Sequence, residues 1–300
     1  MFKEGKDNIN YKDGKTKMLK DKLENIDNCL LCGSEFYLLV HHLDGNHGNN
    51  VDENLKVMCH QCHDVIHQKG LNFHNKKWKI KTSEDFLSIQ GEGVTCGTPS
   101  LFIRLFGCTT NCPWCDTNYS KGDNAYKEYN YKEIANLIIC YAKKSSIRNL
   151  VITGGEPLEQ SVQPLIMIAK LLGYRIEIET NGKPIADGNK FILPSFVDQF
   201  NISPKLWSKE KVRTFRKDRI KKLMQVNSIF KFVVKTSEDF RIVEEMIKRG
   251  VDKERVWLMP LTGDKDEKKT MGVVWDYCVK NKLKFSARIH YLLFGNKRNI

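Results

Sequence analysis

SIQGEGVTCGTPSLFIRLFGCTTNCPWCDTNYS, residues 88–120, is the stretch on which the fold turns. It opens on the Gly-rich turn Gln90-Gly91-Glu92-Gly93 and runs into the apolar β-type stretch LFIRLF. It ends on Cys108-Thr-Thr-Asn-Cys112-Pro-Trp-Cys115. A thiol triplet directly after a strand has two readings. One is zinc. The other is a cubane iron–sulfur cluster, in which every iron wants a ligand, so that three thiolates leave one iron open for a substrate or cofactor. The aromatic Trp114 before the last cysteine and the β-run before the first favour iron–sulfur.

Outward from this stretch, apolar β-type runs (LFIRLF, NLVIT, RIEIET, QFNIS, FKFVV, RVWLMP, LKFSARIH) alternate with helix-like segments. Those segments are YKEIANLIICYAKK, LIMIAKLLG and SEDFRIVEEMIKRG. Such alternation predicts an α/β domain with a parallel sheet over 78–300. No internal repeat interrupts it. Thr153-Gly154-Gly155-Glu156-Pro157 follows the run NLVI. Its two glycines let backbone approach a ligand closely, and Glu156 can accept from an ammonium.

Before Trp78 the texture differs. Residues 1–27 read as a polar tail with a helical stretch around Met18 to Glu24, and 71–77 as a polar linker. Residues 28–70 hold two Cys-x-x-Cys knuckles, Cys29/Cys32 and Cys59/Cys62, and six of the eight histidines. Two thiolate pairs complete a tetrahedron around one Zn2+ ion. Within and after the loop between the knuckles stand His41, His42, Asn54, His63 and His67. His63 and His67 share one face if helical.

The chain has 300 residues, 41% hydrophobic and 28% charged. This excludes wholesale disorder, and no apolar run is long enough for a membrane span. The polar, Lys-rich start is not a secretory signal. In a reducing cytoplasm the ten cysteines then suggest metal sites rather than disulfides, with Cys96, Cys140 and Cys278 standing alone. The formal net charge is +13, yet residues 1–80 are close to neutral. The basic excess is densest from Lys205 to Lys235, with 11 basic and 2 acidic residues. It reads as a solvated face or as a polyanion-binding surface.

The cysteine triplet and Gly-Gly-Glu-Pro resemble the radical S-adenosylmethionine superfamily. More narrowly, residues 88–120 resemble the 7-carboxy-7-deazaguanine synthase family, together with ETNG at 179–182, SPK at 203–205 and the ending ARIHYLLFGNKRN. The resemblance implies a partial (β/α) barrel with a 4Fe-4S cluster on Cys108, Cys112 and Cys115. It implies S-adenosylmethionine held by Gly154, Gly155, Glu156, Glu179, Asn181, Ser203 and Lys205, and Mg2+ at Thr117. The implied reaction converts 6-carboxy-5,6,7,8-tetrahydropterin to 7-carboxy-7-deazaguanine with loss of ammonia, a step toward queuosine. Arg104 can fork onto the substrate carboxylate. Glu92, with backbone groups around Gln90 and Gly91, faces the pterin edge, and His290 is implied on the substrate side. A flavodoxin or ferredoxin as electron donor and a homodimer are further implications.

The segment from the first knuckle to His67 resembles the HNH endonuclease family, which implies a small zinc-stabilised ββα module. By that resemblance His41, His63 and His67 ligate a catalytic metal, His42 is the general base and Asn54 orients the loop that carries it. A nuclease and a nucleic-acid-binding or docking unit both remain open for this module. For the whole chain the rival functions are an HNH nuclease, a radical activase of another protein, and a non-enzymatic nucleic-acid-binding protein using the basic stretch from Lys205 to Lys235.

Overall fold

The computed structural model describes residues 26–68, 78–113, 115–121, 126–188, 194–206, 216–263, 266–295 and 297–298. Several expectations lie outside them: the helical stretch around Met18 to Glu24, the linker 71–77, the packing of Trp114, the side chain of His67 and the middle of the basic stretch, 207–215.

The chain forms two compact units. One comprises residues 1–79, 129–146 and 163–174, the other 80–128, 147–162 and 175–300. In the first, β1 (Leu38–His42) and β2 (Leu55–Cys59) pair antiparallel, with Leu38 opposite Cys59, and α1 (His60–Gln68) follows directly. The same unit holds α2 (Tyr131–Lys144) and α3 (Gln163–Leu171). A capping box starts α2. The Asn130 side chain accepts from Glu133 N–H at 3.0 Å, and Glu133 accepts from Asn130 N–H at 2.8 Å. Apart from Lys170, every residue of α3 is buried, as an almost wholly apolar helix requires. Lys143 pairs with Glu53 at 3.1 Å, and Trp78 packs edge-on against Tyr131.

The second unit carries the sheet. The sheet's strands, within this unit except for Lys79 and residues 129–130, are β3 (Lys79–Ile89), β4 (Pro99–Leu105), β5 (Lys127–Asn130), β6 (Asn149–Gly154), β7 (Arg175–Thr180), β8 (Gln199–Ile202), β9 (Ser228–Val234), β10 (Val256–Pro260) and β11 (Lys284–Phe285). The order across the sheet is β11-β10-β9-β8-β7-β6-β4-β3-β5, an open sheet with two edges. From β4 through β11 neighbouring strands run parallel. β8 is buried throughout, and β6 along all but its last residue, which is why these runs read as continuously apolar rather than alternating. The helices of this unit are α4 (Lys183–Ala186), α5 (Lys217–Met224), α6 (Ser237–Lys248), α7 (Glu267–Asn281) and α8 (Ile289–Phe294).

Two sequence expectations need correction. The sheet is mixed, because β3 runs antiparallel to β4 with a bulge between Thr82 and Glu84. Its polar face hid it from an apolar-run reading. LKFSARIH is not one strand. Pairing stops at Phe285, Ser286 is buried and accepts from Gly93 N–H at 3.1 Å, and the chain turns into α8.

Candidate active site

The parallel strands of the second unit end around one cavity of about 270 Å³. Ligand sites in parallel α/β sheets lie at this carboxyl edge. Cys108, Cys112 and Cys115 line it from the loop after β4, and Gly154 and Gly155 from the turn after β6. Glu179 and Asn181 reach it at the end of β7, Ser203 and Lys205 after β8. Glu92, Arg104, Thr117 and His290 line it as well.

The Gly-Gly-Glu turn is pressed against the cysteine loop. A Cβ on Gly155 would lie 1.8 Å from Gly107 O, and one on Gly154 would lie 2.2 Å from Leu105 O. Gly155 N–H donates to Leu105 O at 2.9 Å and Glu156 N–H to Gly107 O at 2.8 Å. The glycines thus serve backbone-to-backbone packing that fixes the cysteine loop, beyond the ligand approach expected of them. The Glu156 side chain is turned inward. It accepts from Thr180 Oγ1 at 2.6 Å, Asn181 N at 2.7 Å and Leu158 N at 3.2 Å. Burial pushes its carboxyl up to about 7 against these donors. Its carboxylate oxygens brace the turn after β7.

Glu92 sits between two cations. Lys231 Nζ pairs with Oε2, Arg288 Nε lies 3.1 Å from Oε1, and His290 Nε2 is 4.0 Å away. Burial alone would raise this carboxyl, but Lys231 and Arg288 bring it down to about 2. Lys231 is itself buried and lies 3.6 Å from Glu179. Arg288 also donates to Thr262 Oγ1 at 2.8 Å and to Asp116 Oδ2 at 2.5 Å, in the loop of Cys115. The Gln90 backbone is used within its own turn, with N–H to Thr98 O at 2.9 Å and O from Gly97 N–H at 2.8 Å. Gly91 O accepts from Ile289 N–H at 3.1 Å. These hydrogen bonds hold the turn and α8, and Gln90 and Glu92 line the cavity.

Arg104 Nε lies 3.1 Å from Glu84 Oε2. Thr117 Oγ1 is 3.4 Å from Gly154 O and 3.5 Å from Cys115 Sγ. Glu179 accepts from Thr153 Oγ1 at 2.8 Å, and Asn181 Nδ2 donates to Thr110 Oγ1 at 3.3 Å. Lys205 Nζ reaches Ser203 Oγ at 3.3 Å. Burial lowers the His290 imidazole below its usual value.

The model of the radical SAM superfamily matches residues 102–271. A 7-carboxy-7-deazaguanine synthase of Pyrobaculum aerophilum is 32% identical over 230 residues, covering 73% of this chain and 97% of that protein. The chain belongs to the 7-carboxy-7-deazaguanine synthase family. The synthase of Clostridium acetobutylicum is 30% identical, with 73% of this chain and 99% of the relative covered. The crystal structure of QueE from Escherichia coli superposes with a TM-score of 0.58 at 22% identity, over 75% of this chain and all of that one. That likeness concerns the fold.

As a member of this synthase family, the chain needs a cysteine loop fit for a cluster with an open iron. The three half-buried thiols share one short loop, held by the Gly154–Gly155 turn and opening into the cavity. Sequence reading overlooked Lys231, Arg288 and Glu84. A signal for Lys231 was available, since a lysine inside the buried run FKFVV needs a carboxylate partner. Arg288 and Glu84 carried none, because their partners lie far away in the chain.

In the first unit, the sulfurs of Cys29, Cys32, Cys59 and Cys62 lie within 4.8 Å of one another. Burial raises the Cys29 thiol, but backbone donors at Cys59, Leu31 and Cys32 bring it down to about 7. Burial and the neighbouring sulfurs raise Cys62. The His41 and His63 rings meet edge-on with centroids 5.4 Å apart, and His42 Nε2 is 2.9 Å from Asn50 Oδ1. Asn54 is buried, donates to Asp44 Oδ1 at 2.9 Å and to Asn49 O at 2.8 Å, and accepts from Asp44 N–H at 2.9 Å. The quartet lies outside the radical SAM match.

Proposed function

We propose that this chain converts 6-carboxy-5,6,7,8-tetrahydropterin to 7-carboxy-7-deazaguanine with loss of ammonia. The observation that carries this reading is the single cavity into which three loop cysteines, the Gly154–Gly155 turn, Glu92, Arg104 and His290 all open. Substrate and products balance as an isomerisation followed by ammonia loss, so no net oxidant is consumed. Cys108, Cys112 and Cys115 hold a 4Fe-4S cluster. That cluster with S-adenosylmethionine supplies the one-electron chemistry that starts hydrogen-atom transfer.

The chain's own residues do the rest. Arg104 keeps its terminal nitrogens for the substrate carboxylate. Glu92, held ionised by Lys231 and Arg288, accepts from the pterin N–H groups. His290, neutral near pH 7, takes or gives a hydrogen bond on the substrate side. Gly154, Gly155, Glu156, Glu179, Asn181, Ser203 and Lys205 bind S-adenosylmethionine, and Glu156 also keeps the turn that carries Asn181 in place. Thr117 offers a hard oxygen to Mg2+. A small acidic electron carrier, a homodimeric state and a cytoplasmic setting belong to the same reading. Anaerobic incubation with the pterin, dithionite and S-adenosylmethionine, read by mass spectrometry, tests it. Absence of the deazaguanine from a fully iron-loaded protein rejects it.

For the first unit, the sulfur spacing supports a structural zinc on Cys29, Cys32, Cys59 and Cys62. The hairpin, the following helix and the buried Asn54 support an HNH-like reading with His42 as base and His41, His63 and His67 as metal ligands. The near-neutral charge of residues 1–80 favours a binding or docking unit over an autonomous nuclease. Plasmid incubation with magnesium or manganese decides, with His42→Ala as control. Nicking that His42→Ala abolishes makes it a nuclease, and nicking that persists in the variant does not.

A further inference from the structure

Beside Arg104 the cavity wall carries a second arginine, Arg298, from the C-terminal tail. Both guanidiniums rest on one carboxylate. Glu84 Oε2 takes Arg104 Nε at 3.1 Å, and Glu84 Oε1 takes Arg298 Nε at 2.7 Å and also pairs with its Nη2. Tyr119 O–H donates to Glu84 Oε2 at 3.3 Å, and its ring lies under Arg298 at 3.8 Å. Glu84 faces Arg104 across the β3–β4 ladder directly after the bulge, which re-aims a side chain toward the site. Its side chain is only 6% exposed and Arg104's 17%.

The charges in this cluster do not cancel. Two guanidiniums face one carboxylate and a phenol that burial keeps protonated. Arg298 is 53% exposed, but Arg104 is largely out of water and shares its one carboxylate, so it is the Arg104 fork that calls for a further anion. Arg104, Arg298 and Tyr119 line the cavity, so the anion would come from there. Because Glu84 takes Arg104 by Nε, the two terminal nitrogens of that fork stay available for a second carboxylate.

We propose that Arg298 and Glu84 complete the substrate-carboxylate site: Arg298 as the second cation, Glu84 as the positioning residue that aims Arg104 and holds Arg298. The proposal rests on the pterin reading above, and names the residues that make the carboxylate a requirement for binding.

The test uses the full chain, reconstituted anaerobically, titrated calorimetrically with 6-carboxypterin and with pterin lacking the carboxylate. Wild type should bind 6-carboxypterin the more tightly. If it does not, the substrate reading fails before any variant is measured. Arg298→Ala should weaken 6-carboxypterin about tenfold or more, the usual size of a lost charge-assisted hydrogen bond. Its affinity for pterin should stay the same. Arg298→Lys keeps charge without the fork and should fall between. Glu84→Gln should lose the carboxylate preference in the same way, with iron content and thermal midpoint as fold controls. Should Glu84→Gln not fold, Arg298→Ala carries the test alone. Equal losses for both ligands, or no loss for either, would overturn the proposal.

Discussion

The imidazole of His290 occupies the space a Gly91 side chain would take: a Cβ there would lie 2.4 Å from His290 Nδ1 and 3.1 Å from its backbone nitrogen. The close approach locks α8 onto the Gln90–Gly93 turn, with Ile289 N–H donating to Gly91 O at 3.1 Å. Neither segment alone forms this wall of the cavity, which Gln90, Glu92 and His290 line together. Gly91→Ala should therefore displace His290 and raise KM for the pterin by about tenfold or more. The readout is steady-state kinetics beside iron analysis. Unchanged KM in an iron-loaded variant would mean that α8 does not shape the pterin site.

Lys231 is a buried cation between Glu92 and Glu179. Lys231→Met leaves those carboxylates without it and should destabilise the fold by about 3–5 kcal/mol. Adding Glu92→Gln should recover part of that stability and none of the turnover. Glu92, lowered to about 2 in the fold from 4.5, contributes stability that is present above pH 4.5 and lost as pH falls through about 2. Acid titrations of wild type and the double variant should differ in that window. Matching acid curves would remove Glu92 as the cause.

Glu156 works in the opposite sense. Its carboxyl, raised from 4.5 to about 7, makes the fold favour the protonated form. That contribution is fully present below pH 4.5 and declines as pH rises through about 7. Glu156→Gln should flatten this part of the urea-midpoint profile between pH 5 and 8. It should also cost about 1–3 kcal/mol, because an amide N–H2 would face Asn181 N–H where an oxygen now accepts. A variant with wild-type slope and stability would refute the bracing role.

The two cysteine groups should separate by metal. Replacing Cys108, Cys112 and Cys115 with Ala should abolish iron and keep one zinc. Cys29→Ala should lose zinc and lower the thermal midpoint, since a bound structural metal contributes folding free energy. Elemental analysis of both proteins is the measurement. Zinc in the first variant but not at the knuckles, or zinc retained in Cys29→Ala, would contradict the assignment.

Much of the α/β pattern was legible because buried parallel strands such as NLVIT and QFNIS must be apolar along their length. The thiol spacings carried both metal readings, since a tight turn sets which sulfurs can share a ligand group. By itself the sequence determined the strand–helix alternation, the cysteine loop and the candidate ligands. Tertiary structure alone decided that Glu92 meets Lys231 and Arg288, that Glu84 holds Arg104 and Arg298, and that Glu156 turns inward. The reason is physical. Local propensity acts over a few residues, whereas a buried charge takes its state from whichever partner the folded chain brings within a few ångströms, wherever that partner stands in the sequence.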